Sequence, residues 1–164
     1  MRISSINKRR IKQFKENKRG YYSLLIFLTL FFVTLFAEFI ANDRPVIVAY
    51  EDNYYFPIFN DYAETTFGGF FETETDYRDE FISEEINSKG WIIWPLIEFH
   101  YNTINFSLAE NHPAPPNAEN LLGTDDRGRD VLSRVIYGFR ISVLFGLVLA
   151  IVSSFIGIIA GVIQ

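Results

Sequence analysis

The residues best placed to do chemistry are Gly123, Thr124, Asp125, Gly128, Arg129, Asp130 and Arg134, inside the run LLGTDDRGRDVLSRVIYGFRIS at 121–142. Small and charged side chains in fixed order, just ahead of an uncharged stretch, suit capping and ion pairing rather than bond breaking. Thr124 or Asp125 can cap a helix that starts there, Asp126 and Asp130 favour its positive N-terminal end, and Asp130 with Arg134 forms an i, i+4 pair. None of these roles needs a ligand. A structural elbow is therefore the reading, and direct contact with a substrate is its alternative.

The remaining chemistry-bearing residues point away from catalysis. His100 and His112 are the two histidines and lie too far apart in sequence for a short metal-ligand pair, so no metal is expected and packing is their default use. The chain has no Gly-rich phosphate loop with its Lys and no nucleophile elbow, so neither a nucleotide site nor an enzyme is expected. With no cysteine, a disulfide framework or thiol-dependent centre is excluded. Asn105-Phe106-Ser107 fits the glycosylation tripeptide, a pattern common by chance, and is discounted.

The elements that must position the elbow are set by the distribution of charge. Residues 21–37 carry no charge, and with Glu38, Phe39 and Ile40 the segment 21–40 reaches about 30 Å as a helix, enough to cross a hydrocarbon core. Residues 141–164 carry none either and form a second span of about 36 Å, which leaves room for tilt. Glu38, within a turn of the first span's end, can reach the headgroup region as an anchor; an ionisable group deep in a membrane would instead suggest function. Ahead of the first span, residues 1–20 hold Arg2, Lys8, Arg9, Arg10, Lys12, Lys15, Lys18 and Arg19 against Glu16 alone, which predicts a cytoplasmic N-terminus. The span accounts for these cations, so a nucleic-acid patch is set aside. No small-x-small site follows the span, so an uncleaved anchor is expected rather than a signal peptide.

Residues 41–120 hold fifteen Asp and Glu against Arg44, Arg78 and Lys89. Their poverty in Lys and Arg places them outside the cytoplasm as an acidic insert. The four arginines 127, 129, 134 and 140 oppose that orientation and can be partnered by Asp125, Asp126 and Asp130. An acidic surface can steer cationic substrates, but it commonly just keeps a domain soluble. Residues 46–50 and 54–58 predict a β-hairpin about Glu51-Asp52-Asn53, residues 61–75 a loop with a Gly68-Gly69 turn, and residues 76–89 a helix followed by Gly90. Trp91, Trp94, Phe99 and Tyr101 suit the insert's core, the reading adopted, with an interfacial aromatic belt as its alternative. The prolines after His112 predict a stiff extended strap.

In the last part, Val131, Leu132, Val135, Ile136 and Phe139 form one apolar stripe, with Asp130, Ser133 and Arg134 facing elsewhere. This predicts a Gly-Asp-Arg elbow and an amphipathic interfacial helix over 121–140, the helix lying along the membrane before the second span. Gly146, Ala150, Gly157 and Gly161 lead a stripe of small residues in that span, ending in a GxxxG motif, and are expected to pack against another helix. The fold class is a mainly α membrane protein: two transmembrane helices flank a small mixed α/β extracytoplasmic insert.

Three strings carry a resemblance to a known family: FAEFIAND at 36–43, YYFPIFNDYAETTFGGFFETETDYRDE at 54–80, and ENLLGTDDRGRDVLSRVIYGFRISVLFG at 119–146. Together they resemble permease subunits of bacterial peptide-importing ABC transporters of the oligopeptide/dipeptide permease C-like family, microcin C type branch. The resemblance covers the whole chain. It implies an inner-membrane location, a second permease subunit, two cytoplasmic ATPase subunits that bind the ATP, and a periplasmic solute-binding protein that delivers peptides. Family members continue beyond the equivalent of Gln164 through further helices and a cytoplasmic coupling loop that contacts the ATPase. The chain thus resembles their N-terminal portion, and no ATPase-contact residue can be named in it. A two-span sensor or scaffold with an extracytoplasmic binding domain is the alternative from another class.

Overall fold

In a computed structural model, which describes residues 5–106 and 112–163, two long apolar helices leave a small α/β body at one end. Arg2, Ser107 and Gln164 of the sequence reading lie outside the described residues. Helix α1 (Ser5–Glu16) precedes α2 (Lys18–Leu35), and a four-residue helix α3 (Ala37–Ile40) follows after a break at Phe36. The basic segment is thus helical, as its Lys, Arg and Gln content favours. Asn17 ends α1 and caps α2, its side chain accepting the N–H of Gly20 at 3.3 Å.

Strands β1 (Ile47–Tyr50) and β2 (Asn53–Tyr55) form the expected hairpin. Glu51 and Asp52 both take positive φ, 47° and 62°, the two-residue turn whose twist matches that of the strands. A third strand, β3 (Gly90–Ile93), pairs antiparallel with the other side of β1, giving the order β2-β1-β3. Gly90 does follow helix α4 (Glu80–Lys89), but its backbone is extended rather than left-handed. The glycine is needed because a Cβ there would lie 1.9 Å from the Ala49 carbonyl oxygen. Asp79 caps α4, accepting the N–H of Phe81 and Ile82 at 3.0 and 3.3 Å.

The insert has its own core: Val48, Tyr50, Phe67, Tyr77, Ile82 and Ile86 are buried, with Trp94 packed on them. Phe67 closes a 3-10 turn (Glu64–Phe67) and meets the rings of Tyr50, Tyr55, Tyr62 and Tyr77 at centroid distances of 5.1 to 6.2 Å. That hub absorbs the aromatic content of the expected loop. Trp91 remains 44% exposed, against the expectation of core burial, because it lies on the open side of β3. A second core joins the insert to the helices through Ala37, Ala41, Ile97, Phe99 and Tyr137.

The final helix, α5 (Val131–Ile163), runs unbroken for 33 residues, or about 50 Å. Residues 121–130 are turns, not helix, and no break separates 140 from 141. Residues 131–140 and 141–163 therefore share one axis, since no proline interrupts the backbone ladder between them. Nearly all of the apolar side chains on α2 and α5 are exposed. Neither is a core helix of a water-soluble body; both are long and apolar enough to cross a membrane. They touch through the rings of Phe27 and Phe139, 5.8 Å apart.

Candidate functional site

The elbow is a closed loop built around one carboxylate. Asp125 Oδ1 accepts the backbone N–H groups of Arg127 and Arg129, each at 2.9 Å, and Oδ2 takes the Arg129 guanidinium at 2.8 to 2.9 Å and also that of Arg134. Burial raises the carboxyl's pKa, but the hydrogen bonds from Arg129 and Arg127 outweigh it and hold the group down at about 2. Gly128 sits at φ 77° with its N–H on Asp125 O, where a Cβ would come within 2.5 Å of the His112 ring. Gly123, at φ 74°, has the strap's Ala114 carbonyl equally close. Thr124 Oγ1 accepts the Ala114 N–H at 2.9 Å, and Thr124 N–H donates back to Ala114 O at 3.0 Å. Two glycines in left-handed geometry thus let the strap lie flat against the loop.

The helix cap differs from the expected one. Neither Thr124 nor Asp125 caps α5; Asp130 does, its Oδ1 accepting the N–H and Oγ–H of Ser133 at 2.7 and 2.8 Å. The expected Asp130–Arg134 ion pair is absent because Arg134 reaches back to Asp125 while the Asp130 carboxylate turns inward. Its Oδ2 accepts from Asn120 Nδ2 at 2.9 Å, and Asn120 Oδ1 accepts from Asn105 Nδ2 at 3.0 Å. Phe99 O also lies 2.8 Å from Ser133 Oγ and shares that hydroxyl's single proton with Asp130. Asn105, Asn120, Asp130 and Ser133 are all essentially inaccessible to water.

The face of α5 that packs inward carries polar groups beside apolar ones: Leu132 and Ile136 of the expected stripe pack on the second core. Asp130, Ser133 and Tyr137 are buried, whereas Val135 of the anticipated apolar stripe is 54% exposed. One face can be both polar and buried because every group on it finds a partner in the insert. Tyr137 Oη donates to Ala41 O at 2.9 Å, and Arg140 Nη1 donates to both carboxylate oxygens of Glu38 at 2.8 and 2.9 Å. Glu38 is therefore paired across the helices, not simply an anchor in the headgroups. The signal was present in the spacing: Asp130, Ser133, Tyr137 and Arg140 recur at i, i+3, i+7 and i+10. Asn105 and Asn120 carried no comparable sequence signal.

The histidines do not converge. His100 lies tilted against Tyr101 and edge-on to Tyr137, 4.1 and 4.9 Å between centroids, where burial pushes its pKa down. His112 faces Gly128, with its Nδ1 3.4 Å from Thr124 Oγ1. Among the described residues no cluster of His, Asp or Glu is arranged to hold a metal ion. Beside His100 a cleft of about 980 Å³ opens between Asp43, Arg44, Asp76, Arg78 and Thr103. Its charges are largely internal: Arg44 bonds Asp61 at 2.5 Å and also Glu74, and Arg78 lies over the Phe99 ring at 4.1 Å. The small residues Gly146, Gly157 and Gly161 have nothing within 4 Å of the space a Cβ would fill.

Comparison with known proteins finds sequence similarity to transporter subunits. The chain is 45% identical over 99% of its length to the inner membrane ABC transporter permease protein YejE of Escherichia coli K12, covering 48% of that protein. It is also 45% identical, again over 99% of its length, to the peptidoglycan transport system permease protein YejE of Agrobacterium fabrum, covering 49% of it. A shorter match, 40% identical over 43% of this chain and 21% of the relative, is to the dipeptide transport system permease protein DppC of Bacillus subtilis. The chain spans about half the length of the first two relatives. No family model matches, and no solved structure does.

Proposed function

From its place among the peptide-type ABC transporter permeases, the family to which the chain belongs, we propose that it forms part of an inner-membrane permease subunit importing peptides or peptide-like compounds such as microcin C. The observation that carries this reading is the 45% identity to ABC transporter permeases over 99% of the chain. Within such a subunit α2 and α5 cross the inner membrane, with α1 in the cytoplasm and the acidic insert in the periplasm. The elbow fixes the insert to the outer end of α5 through Asp125 and Asp130. Gly146, Ala150, Gly157 and Gly161 offer α5 to a neighbouring helix of the bundle, where small side chains permit close approach. ATP is bound by separate cytoplasmic ATPase subunits, substrate is delivered by a periplasmic solute-binding protein, and a second permease subunit completes the pore.

Two measurements test this. Disruption of the gene in its host is expected to reduce uptake of labelled peptide and sensitivity to microcin C, both restored by the intact gene; unchanged uptake and sensitivity would overturn the importer reading. Reporter fusions after Gly90 are expected to report periplasm and fusions at Gln164 cytoplasm. The reverse pattern would overturn the orientation.

A further inference from the structure

We infer that the 56–60 turn of the insert dips into the interfacial zone of the bilayer, with Phe59 as its lipid contact. The level is set by Glu38 and Arg140, bonded at 2.8 Å. Residues 21–37 below Glu38 and 141–163 beyond Arg140 carry no charge, so the pair marks the same water-facing end of both helices. Each run amounts to about 25 to 35 Å of helix, the thickness of a hydrocarbon core. Phe39 follows Glu38 directly, and the Phe59 ring stands edge-on to it at 5.8 Å.

The turn is built to hold that ring outward. Phe59 and Asn60 donate their N–H groups to Phe56 O at 3.0 and 3.2 Å, Pro57 is buried, and Arg44 bonds both Pro57 O and Asp61 on either side. Phe59 nonetheless stays 68% exposed, and Phe36, one turn further into the membrane, 60% exposed. Neither ring joins the insert's core, which converges on Phe67. The apolar surface instead continues from Phe59 through Phe39 and Phe36 onto the exposed side chains of α2. That continuity identifies the occupant as the boundary between headgroups and acyl chains, where exposed aromatic rings beside a spanning helix gain most from burial.

The inference rests on α2 and α5 spanning the membrane, and the test separates the two. Because the chain lacks cysteine, single spin labels at Phe59→Cys, Leu28→Cys and Phe70→Cys can be compared in lipid nanodiscs by collision with oxygen, which favours lipid, and with a nickel chelate, which favours water. Phe70 stacks on Phe81 of α4 rather than on α2 or α3 and is 78% exposed, so its label is the water reference. The label at position 59 is expected to collide with nickel several-fold less than the label at 70, and with oxygen more. A label at 59 that matches 70, or that is immobilised and reached by neither reagent, overturns the lipid contact. A label at position 28 that also behaves like 70 would show instead that the spanning reading had failed.

Discussion

Arg140 gives both Glu38 oxygens a hydrogen bond from a single guanidinium nitrogen, at 2.8 and 2.9 Å, and so joins the outer ends of the two apolar helices. Arg140 is largely covered, its side chain 20% exposed, while Glu38 is 41% exposed. The pair is therefore partly screened, and a coupling of about 0.5 to 1 kcal/mol is expected from a double-mutant cycle on Glu38→Gln and Arg140→Gln. The readout is unfolding of the detergent-solubilised chain. Additive single effects would show that the two groups do not hold the helices together.

Asp125 makes the elbow acid-sensitive. Its carboxyl is lowered from the usual 3.8 to about 2 in the folded chain, held there against the effect of burial by hydrogen bonds from Arg129 and Arg127. A carboxylate with a depressed folded pKa stabilises fully above its unfolded value and loses that contribution as the pH falls through the folded one. Asp125→Asn is thus expected to cost about 2 kcal/mol near neutral pH, with the difference from wild type shrinking between about pH 4 and pH 2. A pH-independent difference would rule out the charge as its source.

Asp130 is a different kind of acid, buried and committed to Ser133 and Asn120. Asp130→Ala removes a helix cap and strands two buried donors at once, so a loss of about 2 to 4 kcal/mol is expected. Ser133→Ala removes the one hydroxyl proton shared between Asp130 Oδ1 and Phe99 O but leaves the backbone cap, and is expected to cost about half as much. Equal losses from the two variants would mean that the cap itself contributes little. Chemical denaturation of both in the same detergent makes the comparison.

Much of this architecture was legible because local rules and tertiary structure agree. Charge-free runs mark both spans, Glu51-Asp52 marks the hairpin, and the loop-helix character of the 121–140 region marks the elbow. The misreadings share one cause. Asp130, Ser133 and Arg134 read as facing away from the apolar stripe, yet Asp130 and Ser133 are buried once the insert supplies Asn120 and Phe99 O as partners, and Tyr137 beside them reaches Ala41 O; those contacts join residues up to 96 positions apart. Strand β3 was hidden likewise, because Trp91 reads as core by composition, whereas pairing with Ala49 makes it the outer strand of the sheet. Helical spacing can mark one face, as it does for Asp130, Ser133 and Tyr137, but nothing in either segment names the distant partner that covers it.

The glycines divide into two classes that substitution can tell apart. Gly123 combines φ 74° with an Ala114 oxygen 2.5 Å from any added Cβ, so both backbone conformation and space oppose alanine there. Gly123→Ala is expected to destabilise the isolated chain by about 1 to 3 kcal/mol, more than the cost of left-handed geometry alone, because the strap must also shift. Gly157 lies in regular helix with open space around it, so Gly157→Leu should leave the chain's own unfolding unchanged. If the small-residue face of α5 meets another helix in the assembled permease, the same leucine should abolish co-purification with the second permease subunit. Retained co-purification alongside unchanged stability would show that this face looks onto lipid.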